Sequence, residues 1–290
     1  MPIDHSPQEI SPVYRAIEHM SVDLAWLAMQ ERLWVERMGG LFPERENKVE
    51  DFTRALHITS GSGYWAVSMA RKNSELEVIG LERKVELVRY ASSLAEAQRV
   101  DNARFDLLEP EVTHLTFPDA FFDVVHVAFP FTLLRVEEWP SFFKESTRVL
   151  RPGGYLRITE AETEMTNSPA LERLNTLFLQ GLQRAGQLSP DTGGLVEALT
   201  HVAALWRTQG MAEIVQHTYA CDYGRGPYMP LNPERRIELL ALLLKPLLVD
   251  QKIIRRVEFE DLLAAATRES GHEDFQWQFS LLTLCGRVPE

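Results

Sequence analysis

The sequence lacks several features that mark large classes of protein. It has two cysteines among 290 residues. Cys221 and Cys285 are far apart in sequence and match no metal-ligand spacing, so we predict buried free thiols, with a disulfide as the alternative, and no metal site. No apolar run approaches about 18 residues, so no membrane-spanning helix is expected. The polar N-terminal segment contains no signal-peptide core, which makes a cytoplasmic location the expectation.

Positive charge is also scarce. The chain has 30 lysines and arginines against 42 aspartates and glutamates, giving a formal net charge of -12 and a pI of about 5.2. This balance argues against nucleic acid or an anionic membrane as the main partner. The hydrophobic fraction of 45% and the charged fraction of 25% are those of an ordinary globular protein, which at this length can bury a full core.

Apolar runs and helical periodicity alternate through the first half of the chain. Apolar residues at helical spacing predict one or two helices between Val13 and Met38. Strands are then predicted at 55–59, 77–81, 103–106, 122–128 and 155–160, with helices at 64–73, 84–98 and 137–149. This alternation is typical of a parallel sheet with helices on both faces.

The pattern changes after Glu160. Helices are predicted at 168–185, 195–209, 233–248 and 257–269, and strands at 212–219 and 275–287. For the apolar helix near 233–248 we favour core packing, with a homodimer face or a substrate lid as alternatives.

The stretch from Ala55 to Ala70 carries the first chemical signal. A short apolar strand leads into the small-residue turn Thr59–Gly63, and a helix opens at Tyr64. Glycines let the backbone approach a ligand closely, and the start of the helix offers unpaired N–H groups. About twenty residues on, a second apolar run ends in Glu82, a carboxylate that can accept both hydroxyls of a ribose. Together these features predict a nucleotide-type pocket at the carboxyl ends of parallel strands.

Two further motifs add to this pattern. FPDAFFDVV at Phe117–Val125 places Asp119 in a turn and Asp123 at the entry of the fourth strand, and RVLRPGGYLRITE at Arg148–Glu160 closes a helix and feeds the fifth. With the turn and the strand-end carboxylate, these segments resemble class I S-adenosylmethionine-dependent methyltransferases, the small-molecule branch with a single methyltransferase domain. The resemblance covers residues 50–160 well and the remainder only in layout.

The resemblance implies an α/β fold. A Rossmann-like sheet of seven mostly parallel strands would carry helices on both faces and a helical cap, with the last strand antiparallel and beside the sixth. Residues 1–50 would form an N-terminal helical segment or lid, and 51–162 the cofactor-binding half. Residues 163–290 would hold helical insertions (163–210 and 222–272) and the last two strands.

The resemblance also implies S-adenosylmethionine as the cofactor. The turn would face its methionine part, Glu82 with Arg83 beside it would hold the ribose, and Ala128 and Phe129 would line the cofactor and substrate side. Glu109 would lie near adenine, although Asp106 competes for that role. The predicted cofactor-binding residues are Thr59, Ser60, Gly61, Ser62, Gly63, Glu82, Arg83, Glu109, Ala128 and Phe129.

Two positions depart from the family pattern. His57 stands where the family has an acidic residue that helps to orient the ammonium group of the cofactor, and Thr59 replaces the first glycine. We interpret His57 as a half-buried histidine without chemistry, with a ligand-contacting role as the alternative.

The expected activity is methyl transfer to oxygen, nitrogen or carbon of a small, apolar or aromatic metabolite. The altered turn keeps two alternatives open. One is an enzyme that binds the cofactor for a cyclisation or rearrangement, and the other is a non-catalytic binding subunit. Glu160 is the proposed catalytic residue, since a strand-end carboxylate can accept a substrate proton. Other candidate bases are His126, Glu162, His217, Tyr219 and Tyr223.

Overall fold

The computed structural model describes residues 24–222 and 233–290. Tyr223 and the part of the predicted first helix before Leu24 lie outside the described residues. The strands are β1 (Arg54–Ile58), β2 (Glu77–Glu82), β3 (Ala103–Leu107), β4 (Phe122–Ala128), β5 (Leu150–Thr166), β6 (Ala212–Asp222) and β7 (Trp277–Arg287). The helices are α1 (Leu24–Arg37), α2 (Tyr64–Lys72), α3 (Val85–Ala97), α4 (Trp139–Val149), α5 (Pro169–Arg184), α6 (Leu195–Thr208), α7 (Pro233–Lys245) and α8 (Arg256–Ser270).

Within the described residues the strands form one seven-stranded sheet in the order β3-β2-β1-β4-β5-β7-β6. The first five strands pair in parallel, and β7 runs antiparallel between β5 and β6. The strand order reverses between β1 and β4, which is where open α/β sheets bind their ligands. The predicted fold class is therefore confirmed, and every residue of the central strand β4 is buried as its apolar sequence predicts.

Strand boundaries differ from the prediction most at β5, while β6 continues to Asp222 and β7 begins at Trp277. β5 continues to Thr166 instead of stopping at Glu160. The reason is its antiparallel partner: the pairing with β7 extends from Tyr155 opposite Arg287 to Thr166 opposite Trp277. The parallel pairing with β4 ends at Thr159. Glu160 therefore follows the end of the parallel part of the sheet but lies inside a longer strand.

Helices cover both faces of the sheet. Apolar residues of α1, α2 and α3 pack on one face, and those of α4, α5 and α6 pack on the other. Helix α8 packs against both α5 and α7, and α5 also contacts β5. In the apolar helix near 233–248, Ile237 and Leu244 are buried, as are Leu247 and Leu248 in the following turn, so core packing is confirmed for these residues.

The two sequence motifs are joined by ion pairs. Arg148 lies 2.6 Å from Asp119, and Arg151 lies 2.5 Å from Asp123. Asp123 is buried and also accepts the backbone N–H groups of Thr53 and Arg54. This carboxylate thereby fixes the amino end of β1 against β4, so the acid of the motif positions the sheet.

The expectations for the cysteines and for membrane-spanning helices can be compared with the structure. Cys221 and Cys285 are free and buried. Across residues 24–222 and 233–290, none of the helices combines the length and the apolar character that crossing a bilayer requires.

Candidate cofactor site

The turn after β1 is held by left-handed backbone conformations. The φ angles of Thr59, Gly61 and Gly63 are 55°, 57° and 80°. At Gly63 a Cβ atom would lie 2.6 Å from the Cβ of Ala91, so only glycine fits the packing of α2 against α3. Gly63 N also donates to Ser60 O at 2.9 Å, which closes the turn immediately before the first residue of α2.

Two strand ends at the site carry strained residues without being glycine. Thr59 follows β1 with φ 55°, and Phe129 follows β4 with φ 52°. The Thr59 hydroxyl contacts the carbonyl oxygen of Ala128, so the ends of β1 and β4 are tied together. Non-glycine residues in this region cost about 1–3 kcal/mol each and cluster at functional sites. Two of the positive-φ non-glycine residues among the described residues therefore lie together at the switch point.

The tie between the strand ends can be tested by stability. Thr59→Val keeps the β-branched shape but removes the hydroxyl, and it is expected to lower the free energy of unfolding by about 1 kcal/mol. Urea unfolding followed by circular dichroism measures the change. Thr59→Ser, which keeps the hydroxyl, is the control. Equal stability of the wild type and Thr59→Val would show that the hydroxyl contributes nothing to the strand ends.

Glu82 lies at the carboxyl end of β2, as predicted, and is 3% exposed. Its Oε2 accepts the backbone N–H of Gly61 at 3.0 Å, and its Oε1 accepts that of Arg83 at 2.7 Å. The Arg83 guanidinium donates to Pro110 O at 3.2 Å, which links β2 to the loop after β3. The structure therefore joins the turn and the strand-end carboxylate directly.

A second carboxylate, which was not predicted from the sequence, reaches the same turn from α1. Glu31 Oε1 accepts the Ser62 N–H at 2.8 Å, and Glu31 Oε2 accepts the Ser62 hydroxyl at 2.8 Å. Burial raises the pKa of Glu31 to about 7, against the lowering effect of the Ser62 hydrogen bonds. The sequence signal was weak, because one glutamate in an amphipathic helix looks like any solvated residue.

His57 is 3% exposed, so the expectation of a half-buried side chain is wrong. Its ring stacks on His126 at a centroid distance of 4.6 Å and lies 4.8 Å from the ring of Trp65. Burial, with a smaller effect from the charge of Arg157, lowers the pKa of His57 to about 3. His57 is therefore neutral at physiological pH and carries no charge toward the end of β1.

A buried ion pair lies in the same layer of the sheet. The registers place His57, His126 and Arg157 side by side on β1, β4 and β5. Arg157 Nε donates to Glu44 Oε2 at 3.0 Å, and both side chains are at most 1% exposed. Glu44 comes from a short turn of 3₁₀-helix, Pro43–Arg45, so the pair joins the N-terminal segment to the centre of the sheet.

Glu160 is buried beneath the loop after β4. It accepts the N–H of Phe131 at 3.2 Å and that of Ala161 at 2.9 Å. Burial raises the pKa of Glu160 to about 8, against the lowering effect of these two hydrogen bonds. A carboxyl group with this pKa can hold or accept a proton near neutral pH.

The other candidate bases are arranged less favourably. His126 is buried and contacts Thr159 Oγ1 at 2.9 Å, and burial holds its pKa well below the usual value. Glu162 accepts the Val196 N–H at 2.7 Å at the start of α6. His217 is exposed and Tyr219 is half-buried, both on β6.

The two candidates for the adenine side are both exposed. Asp106 lies within β3, 3.8 Å from Arg104, and Glu109 follows in the loop after β3. The choice between them stays a prediction.

Aromatic rings lie beside the ends of β4 and β7. The ring of Trp34 on α1 is 5.1 Å from that of Phe129 and 6.2 Å from that of Phe279. Phe129 directly follows β4, which places this aromatic group next to the turn after β1. An apolar or aromatic molecule bound at the strand ends would contact these aromatic rings.

Comparison with known proteins agrees with this geometry. Residues 55–154 match the sequence profile of a methyltransferase domain. The chain is 31% identical over 135 residues to demethylmenaquinone methyltransferase of Geobacillus kaustophilus, an alignment that covers 46% of this chain and 54% of the relative. The chain therefore spans about half the length of that curated relative.

Solved structures support the fold. The YcgJ protein of Bacillus subtilis superposes with a TM-score of 0.52 at 16% identity, covering 88% of this chain and 99% of that chain. Phosphoethanolamine N-methyltransferase 2 of Haemonchus contortus, solved with S-adenosyl-L-methionine, gives a TM-score of 0.51 at 15% identity, covering 89% of this chain and 53% of that chain.

The sheet order, the switch point and the turn define a Rossmann-like α/β domain of the kind that binds nucleotides at its strand ends. More narrowly, residues 55–154 match a methyltransferase-domain profile and the curated relatives are named methyltransferases, so the predicted resemblance to class I S-adenosylmethionine-dependent methyltransferases is confirmed.

Proposed function

We propose that this protein binds S-adenosylmethionine and transfers its methyl group to a small-molecule acceptor. The observation that carries the proposal is the hydrogen bond from Gly61 N to Glu82 Oε2, which joins the turn to the strand-end carboxylate at the switch point. A ribose at Glu82 and a methionine chain over the turn would then belong to one ligand.

The residues at the strand ends fit this cofactor. Glu82 would accept the ribose hydroxyls, with Arg83 beside it, and the turn from Thr59 to Gly63 would face the methionine part. Ala128 and Phe129 would line the side toward the substrate, and Glu109 would lie near adenine. When bound, the cofactor supplies an electrophilic methyl group on a positively charged sulfur.

The acceptor is proposed to be apolar or aromatic. Two observations support this class: the aromatic group formed by Trp34, Phe129 and Phe279, and the demethylmenaquinone methyltransferase relative. The net charge of -12 argues separately against a nucleic-acid acceptor. Quinols and phenols are therefore the first acceptors to test, with amines as a comparison class.

Two measurements test the proposal. Isothermal titration calorimetry with S-adenosylmethionine and S-adenosylhomocysteine should give a binding signal for both, and the absence of heat with either ligand would favour a non-catalytic subunit. Release of S-adenosylhomocysteine with the acceptor library should then follow. Binding without release would favour an enzyme that uses the cofactor for a cyclisation or rearrangement.

Glu160 is proposed as the proton acceptor of the reaction. Glu160→Gln keeps the shape of the side chain and removes the titrating group, so kcat is expected to fall by about tenfold or more while cofactor affinity stays unchanged. Steady-state kinetics with the identified acceptor measures the effect. Glu137→Gln, at an exposed position, is the control. An unchanged kcat in Glu160→Gln would mean that positioning alone drives the transfer.

A further inference from the structure

The N-terminal helix α1 places a carboxylate on the turn that faces the proposed cofactor. Both oxygens of Glu31 are engaged by Ser62, one by its backbone N–H and one by its hydroxyl, each at 2.8 Å. The contact is close: a Cβ atom on Gly61 would lie 2.3 Å from Glu31 Oε1. A side chain at this position would therefore displace the Glu31 carboxylate from its present place on the turn.

Glu31 and Glu82 bind successive N–H groups of the turn. Gly61 N donates to Glu82, and Ser62 N donates to Glu31. The negative charge of Glu82 adds to the burial that raises the pKa of Glu31. Among the residues that the structure describes, no lysine or arginine forms an ion pair with Glu31. Two carboxylates held this close at a buried turn favour a bound cation.

The proposed ligand carries positive charge at this end. The methionine part of S-adenosylmethionine has an ammonium group beside a carboxylate, and its positive sulfur gives the ligand a net positive charge. His57, which lies on β1 two residues before Thr59, is neutral and offers no negative charge to an ammonium group. Glu31 is the carboxylate that the fold brings to the turn from outside the sheet.

We propose that Glu31 is a cofactor-binding residue whose carboxylate binds the ammonium group of S-adenosylmethionine, so that α1 forms part of the cofactor site. This inference rests on the proposed function. In this proposal α1 supplies the negative charge that the end of β1 lacks. Docking of α1 then favours binding of the amino-acid part of the ligand, and binding of that part favours docking of α1.

The test uses two ligands that differ in the amino-acid part. S-adenosylhomocysteine carries the amino-acid part with its ammonium group and carboxylate, whereas methylthioadenosine has the adenosyl part with neither of them. Glu31→Gln is expected to weaken S-adenosylhomocysteine binding by about tenfold or more, because a charge-assisted hydrogen bond is lost. The affinity for methylthioadenosine should stay unchanged, and this also reports that the variant is folded. Calorimetry at constant pH and salt measures both.

The control is Glu36→Gln, on the same helix, where Glu36 is exposed and pairs with Arg32. It should change neither affinity. Unchanged S-adenosylhomocysteine affinity in Glu31→Gln would overturn the inference and leave the proposed function intact. Tighter binding would also overturn it, because Glu31 would then compete with the ligand. If the wild type binds neither ligand, the proposed function fails as well.

Discussion

Replacing Glu82 with alanine is expected to weaken binding of S-adenosylhomocysteine and of methylthioadenosine by more than about tenfold each. The carboxylate is buried at the end of β2, where the ribose hydroxyls of both ligands would donate to it. Its loss also leaves the Gly61 N–H without its present acceptor. Because both ligands carry the ribose, this pattern differs from that of Glu31→Gln, which should affect only the ligand with the amino-acid part.

A ligand comparison separates the ribose contact from damage to the turn. The wild type should bind adenosine more tightly than 2′,3′-dideoxyadenosine, which lacks the 2′- and 3′-hydroxyls of the ribose. Glu82→Ala should bind the two nucleosides with equal affinity. Calorimetry measures the four affinities. Glu86→Ala removes a carboxylate from the exposed side of α3 and should behave as the wild type. If Glu82→Ala retains full affinity for all ligands, the ribose site has been placed wrongly.

The alternation of short apolar runs with periodic segments was enough to predict the parallel part of the sheet. The β4 sequence is apolar almost throughout, and it lies between β1 and β5 with every residue buried. The end of β5 was not predictable in the same way. Its last residues are held by β7, whose pairing partner for Thr166 is Trp277, and no local pattern reports such a distant neighbour.

The candidate site also has one part that could be predicted from local sequence and one part that could not. The turn and Glu82 were recognisable because glycines and a strand-end acid stand at a fixed spacing in one βαβ unit. Glu31 was not, because it reaches Ser62 from a helix that precedes the sheet, 31 residues away. A local spacing rule can therefore predict the turn and Glu82, but it cannot predict a carboxylate that reaches the turn by tertiary packing.

The buried ion pair of Arg157 is only partly visible in the sequence. A charged residue inside an apolar strand indicates a buried polar contact, but its partner Glu44 lies 113 residues earlier in a short turn without periodicity. Arg157 also donates to Thr159 Oγ1 at 3.1 Å and contacts His126 Nε2 at 3.1 Å. The pair thus joins β4 and β5, at the centre of the sheet, to the N-terminal segment that carries α1.

Breaking this pair is expected to give the largest loss of stability. Arg157→Met leaves Glu44 buried without its countercharge, and removing one partner of a buried pair costs about 3–5 kcal/mol of unfolding free energy. Burial alone would raise the pKa of Glu44, but the charge of Arg157 and the hydrogen bonds to the carboxylate outweigh it and keep the pKa below the usual value. Denaturant unfolding at neutral pH measures the loss.

The double variant decides whether charge or packing is responsible. Arg157→Met combined with Glu44→Gln removes both charges, and it is expected to recover a large part of the stability that either single variant loses, because no uncompensated buried charge remains. Arg255→Met breaks an exposed pair with Glu258 and should leave unfolding unchanged. If the double variant is as unstable as the sum of the two single variants, the side chains act through packing alone. Recovery would instead identify the pair as the electrostatic link between the N-terminal segment and the sheet, which also holds α1 in reach of the turn.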